Sequence, residues 1–382
     1  MLVTELVKLN YKITLCLPNN IEKSEAYESY IKCFETYLNR VTHGGVNRSA
    51  NPFMQSWQES NYIKKLISAV EPDFIFAPTG TQASFTWPIF RLIGYRTPYR
   101  LLMLSTGQNK VGRGVKVKLE NKIRDILLSF NGHNTLCTID NVGFKQLKNQ
   151  NKLSAKCFSL VPDPMNDFDK PEKQPLRKEF GFSDSDFIVA ICGALDSHPR
   201  KNVGLLIEAI CAIPSNESVK LVMAGKLNDK IINSLAGLSE DLRKRFILIN
   251  KYLTDQELIN LTTAADLICT PYTEHFAPSG IVLRAIKCRT PVLVPNYHWF
   301  EFMVEEFGIG WVIPQLTLAG LSCSIIKAKT DTKTFRIKPY FKFPLLEQYY
   351  STKNFVAHWM ESVVETEKFS FDDLLKQLSE QK

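Results

Sequence analysis

The sequence predicts an α/β protein with two domains, each built around a parallel sheet. Short runs rich in Val, Ile and Leu alternate with longer amphipathic segments along the chain, which is typical of βαβ units. The chain has 382 residues, 45% apolar and 23% charged, so it is long enough for two cores and unlike a disordered protein. No apolar run approaches the roughly 18 residues that span a bilayer, and the first residues lack a signal-peptide layout. We therefore expect neither a membrane-spanning nor a secreted chain.

The first domain is predicted over residues 1–160. Its predicted strands are Lys12–Leu17, Asp73–Ala77, Tyr99–Leu104 and Asn134–Ile139. Its predicted helices include Tyr62–Val70 and Leu119–Ser129. The chain enters at a helical segment, Leu2–Leu9, although domains of this kind usually open with a strand. We therefore expect the first strand of this domain to be absent or the fold to be rearranged.

A polar stretch with prolines at 162, 164, 171 and 175 predicts a linker, and the second domain follows over residues 161–330. Its predicted strands are Phe187–Ile191, Val219–Met223, Phe246–Ile249, Leu267–Thr270, Pro291–Val294 and Gly310–Ile313. The predicted helices between them include Val203–Ala212, Asp255–Ala265 and Ile281–Lys287. Residues 331–382 are predicted as a helical tail that packs back on the domains.

Nine cysteines are spread along the chain, and no two have C-x-x-C spacing. An odd number without clustering argues against a disulfide framework and against a zinc site. We expect buried, reduced thiols in a cytoplasmic protein, with no bound metal.

The net charge of +8 is concentrated in the first half of the chain. Residues 1–160 carry 21 Lys and Arg against 11 Asp and Glu, whereas the remaining residues carry 26 against 28. The densest run contains Lys110, Arg113, Lys116, Lys118 and Lys122. Such asymmetry indicates an anionic partner for this half, such as a membrane surface or a phosphorylated substrate, although a solvated helix face explains such a run equally well. The aromatic and basic spacing of nucleic-acid platforms is missing, so no nucleic-acid partner is expected.

Two phosphate-binding motifs are excluded. Gly107 to Gly114 follows a predicted strand like a P-loop, but Arg113 and Gly114 stand where the lysine and the Ser or Thr of that motif belong. No G-x-G-x-x-G follows a strand, which argues against a dehydrogenase-type site.

Two strands of the second half end in glycine. Gly193 ends one strand and is followed by Arg200 and Lys201 before a helix. The same pattern of a terminal glycine followed by a cation recurs at Gly225 and Lys226 after the next strand. Glycine allows close approach of a ligand, and two cations at a helix start suit a diphosphate. A basic turn without a ligand explains the same residues equally well.

The order of motifs from Phe158 to Pro314 resembles the donor domain of GT-B nucleotide-sugar glycosyltransferases, in particular the retaining glycosyl transferases group 1. The segments that carry it are RKN (200–202), AGK (224–226), DQEL (255–258), AADL (264–267), PYTEHFAPSG (271–280), TPVLV (290–294) and GIGWVIP (308–314). The first 157 residues fit the acceptor-side domain of such enzymes loosely. The resemblance implies two Rossmann-like domains with a GT-B arrangement.

The resemblance also implies roles for individual residues. Lys201, with Arg200 beside it, would neutralise the donor diphosphate. Glu274 would match the first acid of the family's glutamate pair, which touches the donor sugar, and His275 lies in the same loop. Ser279 and Gly280 would face phosphate at a helix N-terminus, so that cations and a helix dipole stabilise the leaving group without a metal.

Arg284 departs from the family pattern. It stands where the second acid of the pair, which binds the ribose, is expected, and it follows Glu274 by ten residues, more than is usual in the family. Arginine has no hydrogen-bond acceptor, so either ribose binding differs from the family pattern or the nucleotide is a different one.

The sequence thus predicts a metal-independent, retaining glycosyltransferase without a cofactor, which moves a sugar from a nucleoside-diphosphate sugar to an unidentified lipid-linked or polysaccharide acceptor. The basic half would allow peripheral contact with the inner membrane face. An epimerase or a phosphorylase on the same fold is a second enzyme hypothesis. A degenerate GT-B protein that binds a sugar or a nucleotide without turnover is the alternative outside the enzymes.

Overall fold

The computed structural model divides into two compact units. Unit 1 comprises Met1–Asp163 and Thr352–Lys368, and unit 2 comprises Pro164–Ser351 and Phe369–Lys382. The division after Asp163 lies three residues beyond the predicted domain boundary, and the predicted tail contributes to both units. The structure describes residues 6–18, 38–43, 51–78, 80–81, 83–106, 115–165, 167–195, 199–335, 342–361 and 367–380.

Unit 1 contains two parallel sheets. Strands β1 (Ile13–Pro18) and β2 (Leu38–His43) pair with each other, with Ile13 opposite Leu38. The second sheet has four strands in sequential order, β3 (Ile75–Ala77), β4 (Tyr99–Met103), β5 (Leu136–Thr138) and β6 (Phe158–Leu160). The helices of this part are α1 (Pro52–Val70), α2 (Ala83–Leu92), α3 (Val115–Ser129) and α4 (Asn141–Asn149).

Strand β4 lies in the core of unit 1, and all five of its residues are buried. Arg100 is the one charged residue among them. Leu101 of β4 packs with Trp87, Leu128 and Leu136 in one cluster. Strand β1 confirms the predicted strand over 12–17, whereas β2 was not predicted. That the unit lacks a first strand stays a prediction, and the P-loop-like residues 107–114 lie outside the described residues.

Unit 2 is built on one six-stranded parallel sheet. Its strands in chain order are β7 (Phe187–Cys192), β8 (Val219–Ala224), β9 (Phe246–Ile249), β10 (Leu267–Cys269), β11 (Val292–Pro295) and β12 (Gly310–Ile313). Its helices up to residue 349 are α5 (Lys173–Glu179), α6 (Val203–Ala212), α7 (Asp229–Ala236), α8 (Glu240–Arg243), α9 (Asp255–Ala264), α10 (Gly280–Cys288), α11 (His298–Phe307), α12 (Leu318–Phe335) and α13 (Lys342–Tyr349). Because β7 and β10 are buried on both faces, both read as continuous apolar runs in the sequence.

The order of the strands in this sheet is β12-β11-β10-β7-β8-β9. The chain starts at β7, continues to β9 on one side, and then returns to place β10 on the other side of β7. The order therefore reverses between β7 and β10. In open parallel sheets this reversal leaves a crevice at the carboxyl ends of the strands, where ligands bind.

The end of the chain adds one helix to each unit. Helix α14 (Thr352–Trp359) belongs to unit 1, where Phe355 and Trp359 pack against Leu102 and Val161. Arg100 donates to the carbonyls of His358 and Trp359 at the end of α14, at 2.7 and 2.9 Å. Helix α15 (Phe371–Glu380) buries Leu374 and Leu378 in the core of unit 2.

Two predicted absences can be compared with the described residues. None of the described helices is long and apolar enough to cross a bilayer. Every cysteine that the structure describes is a free thiol.

Candidate functional site

A cavity of about 320 Å³ opens at the carboxyl edge of the unit 2 sheet, where the strand order reverses. Cys192 and Gly193 at the end of β7 form one wall, and Tyr272, just after β10, forms another. The complete lining is Cys192, Gly193, Arg200, Lys201, Leu258, Tyr272, His275, Pro278, Ser279, Gly280, Ile281 and Arg284. Three of these residues are cationic, and within the described chain none of them is acidic. The cavity thus suits an anionic ligand.

Gly193 leaves room for the ammonium group of Lys201. A Cβ atom at Gly193 would lie 3.2 Å from Lys201 Nζ, and the φ of Gly193 is +104°, which L side chains rarely adopt. Lys201 Nζ also lies 5.9 Å from the centre of the Tyr272 ring. The ammonium group is therefore held directly over the end of β7.

The basic turn that carries Arg200 and Lys201 is fixed to the loop after β10. The side-chain amide of Asn202 donates to the carbonyl of Pro271 at 2.7 Å, and the N–H of Thr273 donates to the carbonyl of Arg200 at 2.8 Å. Asn202 has a left-handed backbone, with φ +48°. Because backbone groups on both sides of the switch point are joined, the two cations are positioned before any ligand binds.

Helix α10 points its N-terminus at the cavity. Ser279 precedes the helix and is buried, and its hydroxyl makes no capping hydrogen bond to the helix. A Cβ atom at Gly280 would meet nothing within 4 Å, so the first turn faces open space. The unpaired N–H groups and the dipole of a helix start favour an anion at this place.

Arg284 on α10 forms an ion pair with Asp255 in the first turn of α9. Arg284 Nη2 lies 3.0 Å from Asp255 Oδ1, and the two side chains are 17% and 35% exposed. Asp255 was not predicted as a site residue, because its partner is 29 residues away in the sequence. The pair places the carboxylate of Asp255 next to Arg284, which stands where the family pattern has its second acid.

His275 is packed into the wall of the cavity. Its ring lies 5.7 Å from the Tyr272 ring and 5.5 Å from the Phe300 ring, between centroids, and its Nε2 lies 3.4 Å from the carbonyl of Pro278. Burial, with a smaller contribution from the charges of Arg200 and Lys201, holds the pKa of His275 below its ordinary value. The imidazole is therefore neutral near pH 7.

Tyr297 ties the loop after β10 to the rest of unit 2. Its hydroxyl donates to the carbonyl of Tyr272 and accepts from the N–H of His275, both at 3.1 Å. The neighbouring Trp299 and Phe300 are fully buried. The aromatic run after β11 thus supports the loop from behind and does not line the cavity.

Three of the predicted site residues do not line the cavity. Glu274 is exposed and has a left-handed backbone, with φ +54°. Lys226 is exposed, with its Nζ 6.0 Å from the centre of the Tyr252 ring. Gly225 packs against the end of β7, since a Cβ atom there would lie 1.8 Å from the carbonyl oxygen of Gly193. The other seven lie together in the wall: Gly193, Arg200, Lys201, His275, Ser279, Gly280 and Arg284.

Cys192 lies in the same wall but is no nucleophile. Burial raises the pKa of its thiol to about 12, so the thiolate is scarce at neutral pH. Across the described residues, no group of three His, Cys, Asp or Glu side chains could hold a metal ion.

The sequence of unit 2 matches a known family. Residues 172–336 match the glycosyl transferases group 1. Unit 2 is therefore similar to the group 1 glycosyltransferases over this segment. The matched segment begins at the N-terminus of α5 and ends after α12, so it contains every residue that lines the cavity. No curated protein matches the sequence significantly.

Solved structures share the two-domain fold of the whole chain. WaaG, described as a glycosyltransferase involved in lipopolysaccharide biosynthesis, is 14% identical with a TM-score of 0.62, over 94% of this chain and 92% of its own. HepE from Anabaena, solved in complex with UDP, is 15% identical with a TM-score of 0.65, over 92% and 99%. Sucrose-phosphate synthase from Thermosynechococcus elongatus is 14% identical with a TM-score of 0.64, over 100% and 90%. The chain therefore has the two Rossmann-like domains of the GT-B fold.

Proposed function

We propose that this protein is a glycosyltransferase that uses a nucleoside-diphosphate sugar as its donor. The observation that carries the proposal is the cavity at the switch point of a group 1 domain, where Arg200, Lys201 and Arg284 meet the N-terminus of α10. A diphosphate matches this combination of cations and backbone N–H groups. The HepE structure with UDP makes UDP the first nucleotide to test.

The chemistry follows from where negative charge develops. During transfer the bond between the sugar C1 and the diphosphate oxygen breaks, and its electron pair goes to that oxygen. The acceptor hydroxyl oxygen forms the new bond to C1, and its proton passes to the leaving diphosphate. The ammonium of Lys201, the guanidinium of Arg200 and the dipole of α10 stabilise the leaving diphosphate. We propose that these groups are sufficient and that no metal takes part.

The ion pair between Arg284 and Asp255 suggests how the nucleotide is read. In this proposal the Asp255 carboxylate, oriented by Arg284, accepts the hydrogen bonds of the ribose hydroxyls that the family assigns to a glutamate. An acceptor is needed because ribose hydroxyls donate, and arginine cannot accept. The 3.0 Å contact keeps the carboxylate beside the cavity wall.

Glu274 and His275 are proposed to act on the sugar side of the donor. The neutral imidazole of His275 can donate or accept a hydrogen bond to a sugar hydroxyl. Glu274 reaches the sugar only if the loop after β10 adjusts on binding, because its side chain is exposed here. We propose the retaining outcome of the group 1 enzymes. Unchanged turnover in Glu274→Ala would remove Glu274 from the catalytic set.

The acceptor is proposed to be a lipid-linked sugar or a polysaccharide, bound by unit 1 on the cytoplasmic side of a membrane. Residues 1–160 hold the whole positive excess of the chain, 21 basic against 11 acidic residues. A basic unit suits an acceptor with phosphate groups or one embedded among anionic lipids.

A second candidate function is binding of a nucleotide or a sugar without turnover. The exposed side chain of Glu274 and the replacement of the family's second acid by Arg284 favour it. Release of nucleoside diphosphate from a sugar donor separates the two, since only an enzyme releases it repeatedly.

The experiment is a thermal-unfolding series with UDP, GDP, ADP and dTDP, with and without magnesium. A nucleotide at 100 times its Kd adds about 2.7 kcal/mol of stability, which shifts Tm measurably. We expect one nucleotide to stabilise the protein equally with and without magnesium. At the same nucleotide concentration, Lys201→Ala should lower the added stability to about 1.4 kcal/mol or less, because its Kd is expected to rise at least ten-fold. No shift with any nucleotide would contradict the donor site, and a shift only with magnesium would contradict the metal-free mechanism.

A further inference from the structure

Helix α3 in unit 1 has a buried carboxylate on its inner side and several exposed apolar side chains on its outer side. Asp125 is only 7% exposed, and its carboxylate accepts from the N–H of Leu153 and from the N–H and hydroxyl of Ser154, at 2.6 to 3.0 Å. On the outward side stand five large apolar side chains: Leu119 57%, Ile123 48%, Ile126 38%, Leu127 39% and Phe130 68% exposed. An ordinary surface helix shows the reverse distribution.

The exposed residues form one continuous stripe. They follow Leu119 by four, seven, eight and eleven positions, which is the spacing of one face of a helix. Leu128, on the other side of α3, is fully buried in the core of unit 1. Among the side chains that the structure describes in α3 and at the adjoining Phe130, one large apolar group is buried in the core and five are exposed.

The start of α1 extends this surface. Phe53, Met54 and Trp57 are 64%, 45% and 37% exposed. A groove of about 320 Å³ joins the two helices, with Phe53 on one side and Ile123 and Leu127 on the other. We call the eight exposed apolar residues of α1, of α3 and of the adjoining position 130 the outer face. A patch of this composition on a protein surface marks an interaction site.

Cations accompany the outer face. Lys118 and Lys122 are exposed on α3, one turn apart along one edge of the stripe. Their unit also carries the positive excess of the sequence. A partner must therefore offer both an apolar interior and negative charge.

We propose that the outer face binds the surface of an anionic lipid bilayer, with its apolar side chains in the acyl boundary and Lys118 and Lys122 among the headgroups. An amphipathic helix with lysines beside an apolar stripe inserts in this way. An RNA would match the cations but leave the aliphatic stripe uncovered, and a protein partner would have to present an apolar patch beside its acidic residues. Membrane binding by the outer face is independent of the proposed function. Only its biological role rests on that proposal, since a membrane-bound acceptor would then meet the enzyme at the bilayer.

The test is sedimentation of the full-length protein with vesicles. Vesicles of equal parts phosphatidylcholine and phosphatidylglycerol should bind the protein, and pure phosphatidylcholine should bind it at least ten-fold more weakly. Each lysine near an anionic surface contributes about five-fold, so Lys118→Ser with Lys122→Ser should lower binding about 25-fold. Ile123→Ser with Phe130→Ser should abolish pelleting. Matched controls in unit 2 are Lys230→Ser on an exposed lysine and Leu318→Ser on a side chain that is 40% exposed; both should bind like the parent.

Equal binding of the parent and the Ile123→Ser, Phe130→Ser variant would overturn the proposal, as would failure of the parent to bind anionic vesicles. Formation of a protein oligomer that the apolar variant abolishes, without vesicle binding, would assign the face to a second copy instead. The substituted side chains are exposed, so circular dichroism and Tm should match the parent. Nucleotide stabilisation, measured without lipid, reports the donor cavity separately, so loss of vesicle binding with intact nucleotide binding contradicts this inference alone.

Discussion

The guanidinium of Arg284 lies 3.0 Å from the carboxylate of Asp255, and the two residues belong to different helices of unit 2. Asp255 is in the first turn of α9, where a helix dipole favours a negative charge. The pair restores a carboxylate to a region where the α10 sequence offers only an arginine. The loss of one acid from a motif is thus compatible with an acid at the site.

Removal of Arg284 should weaken nucleotide binding. Arg284→Ala takes one of three cations from the cavity wall and breaks the ion pair with Asp255. A charge-assisted hydrogen bond contributes about 1.5–3 kcal/mol, so we expect a Kd increase of about ten-fold to a hundred-fold by calorimetry. Asp255→Asn should weaken binding of the ribonucleotide but not of its 2′,3′-dideoxy analogue. Equal losses for both nucleotides would contradict a ribose contact.

Lys201 and Lys226 should behave differently, although both were predicted to bind the donor. Lys201 lies over the end of β7, whereas Lys226 is exposed and outside the cavity lining. We expect Lys201→Ala to raise the Kd of the nucleotide at least ten-fold, and Lys230→Ala, at another exposed lysine, to leave it unchanged. The Lys226→Ala variant tests whether Lys226 binds the donor. Parent-like affinity would agree with its exposed position outside the cavity, and weaker affinity would support the sequence prediction.

Proton uptake should accompany nucleotide binding because of His275. Its pKa is held low in the free protein by burial and by the nearby cations. A bound diphosphate neutralises Arg200 and Lys201 and raises this pKa, so affinity should increase as pH falls through the pKa of the bound state. Calorimetry in two buffers of different ionisation enthalpy measures the uptake. His275→Gln should bind without this component, and uptake that persists in the variant would assign it to the nucleotide phosphates.

Asp266 should make unit 2 sensitive to acid. Its carboxylate is 8% exposed and lies 2.8 Å from both Lys173 Nζ and Arg177 Nη1, and it accepts from the N–H of Ile188 at 2.9 Å. Burial opposes ionisation, but Lys173 and these contacts hold the pKa of Asp266 below its ordinary value. The contribution to stability is present above the unfolded pKa of about 3.9 and is lost as pH falls through the lower folded value.

Asp266→Ala should therefore lower the free energy of unfolding by about 3–5 kcal/mol at pH 7, because it leaves Arg177 buried without its partner. The difference in the free energy of unfolding between the parent and this variant should become smaller in acid, and urea titrations at several pH values measure it. Asp241→Ala, at an exposed pair with Lys244, should leave the urea midpoint unchanged. A loss that does not depend on pH would contradict the electrostatic explanation.

Gly225 should tolerate no side chain. Its φ is +141°, and a Cβ atom would lie 1.8 Å from the carbonyl oxygen of Gly193. Strain and overpacking together predict a loss of about 2–6 kcal/mol for Gly225→Ala in urea unfolding. Gly204→Ala in α6, where no atom lies within 4 Å, should instead gain about 0.5–1 kcal/mol. Equal stability of the two variants would contradict the close approach of the two strand ends.

Strands β7, β8, β10 and β11 of unit 2 were predictable because they are buried on both faces for almost their whole length. Phe187–Cys192 and Val219–Ala224 are almost entirely apolar, and the sequence marks both within one residue of their ends. Strand β2 was missed since Asn39, Arg40 and Thr42 interrupt its apolar pattern. Helix α2 was missed because it contains Pro88, a residue that usually ends a helix.

The site was predictable where its residues are neighbours in the sequence. Glycine at the end of β7, the two cations after it and the Ser-Gly start of α10 follow rules that any single chain displays. Asp255 and Tyr272 could not be assigned in this way, because only the return of the chain across the sheet brings α9 and β10 to Gly193. The outer face of α3 was not predicted for a similar reason. The buried side of this helix is set by the hydrogen bond from the N–H of Ser154 to the carboxylate of Asp125, which the sequence does not reveal.

The placement of α14 in unit 1 has a consequence for biosynthesis. A ribosome releases residues 1–163 long before residues 352–368, so unit 1 waits for its last helix while unit 2 is being made. Until then Leu102 and Val161 lack the cover of Phe355 and Trp359, and Arg100 lacks the two carbonyls to which it donates. Unit 1 is therefore expected to complete its packing only after residues 352–359 have been synthesised.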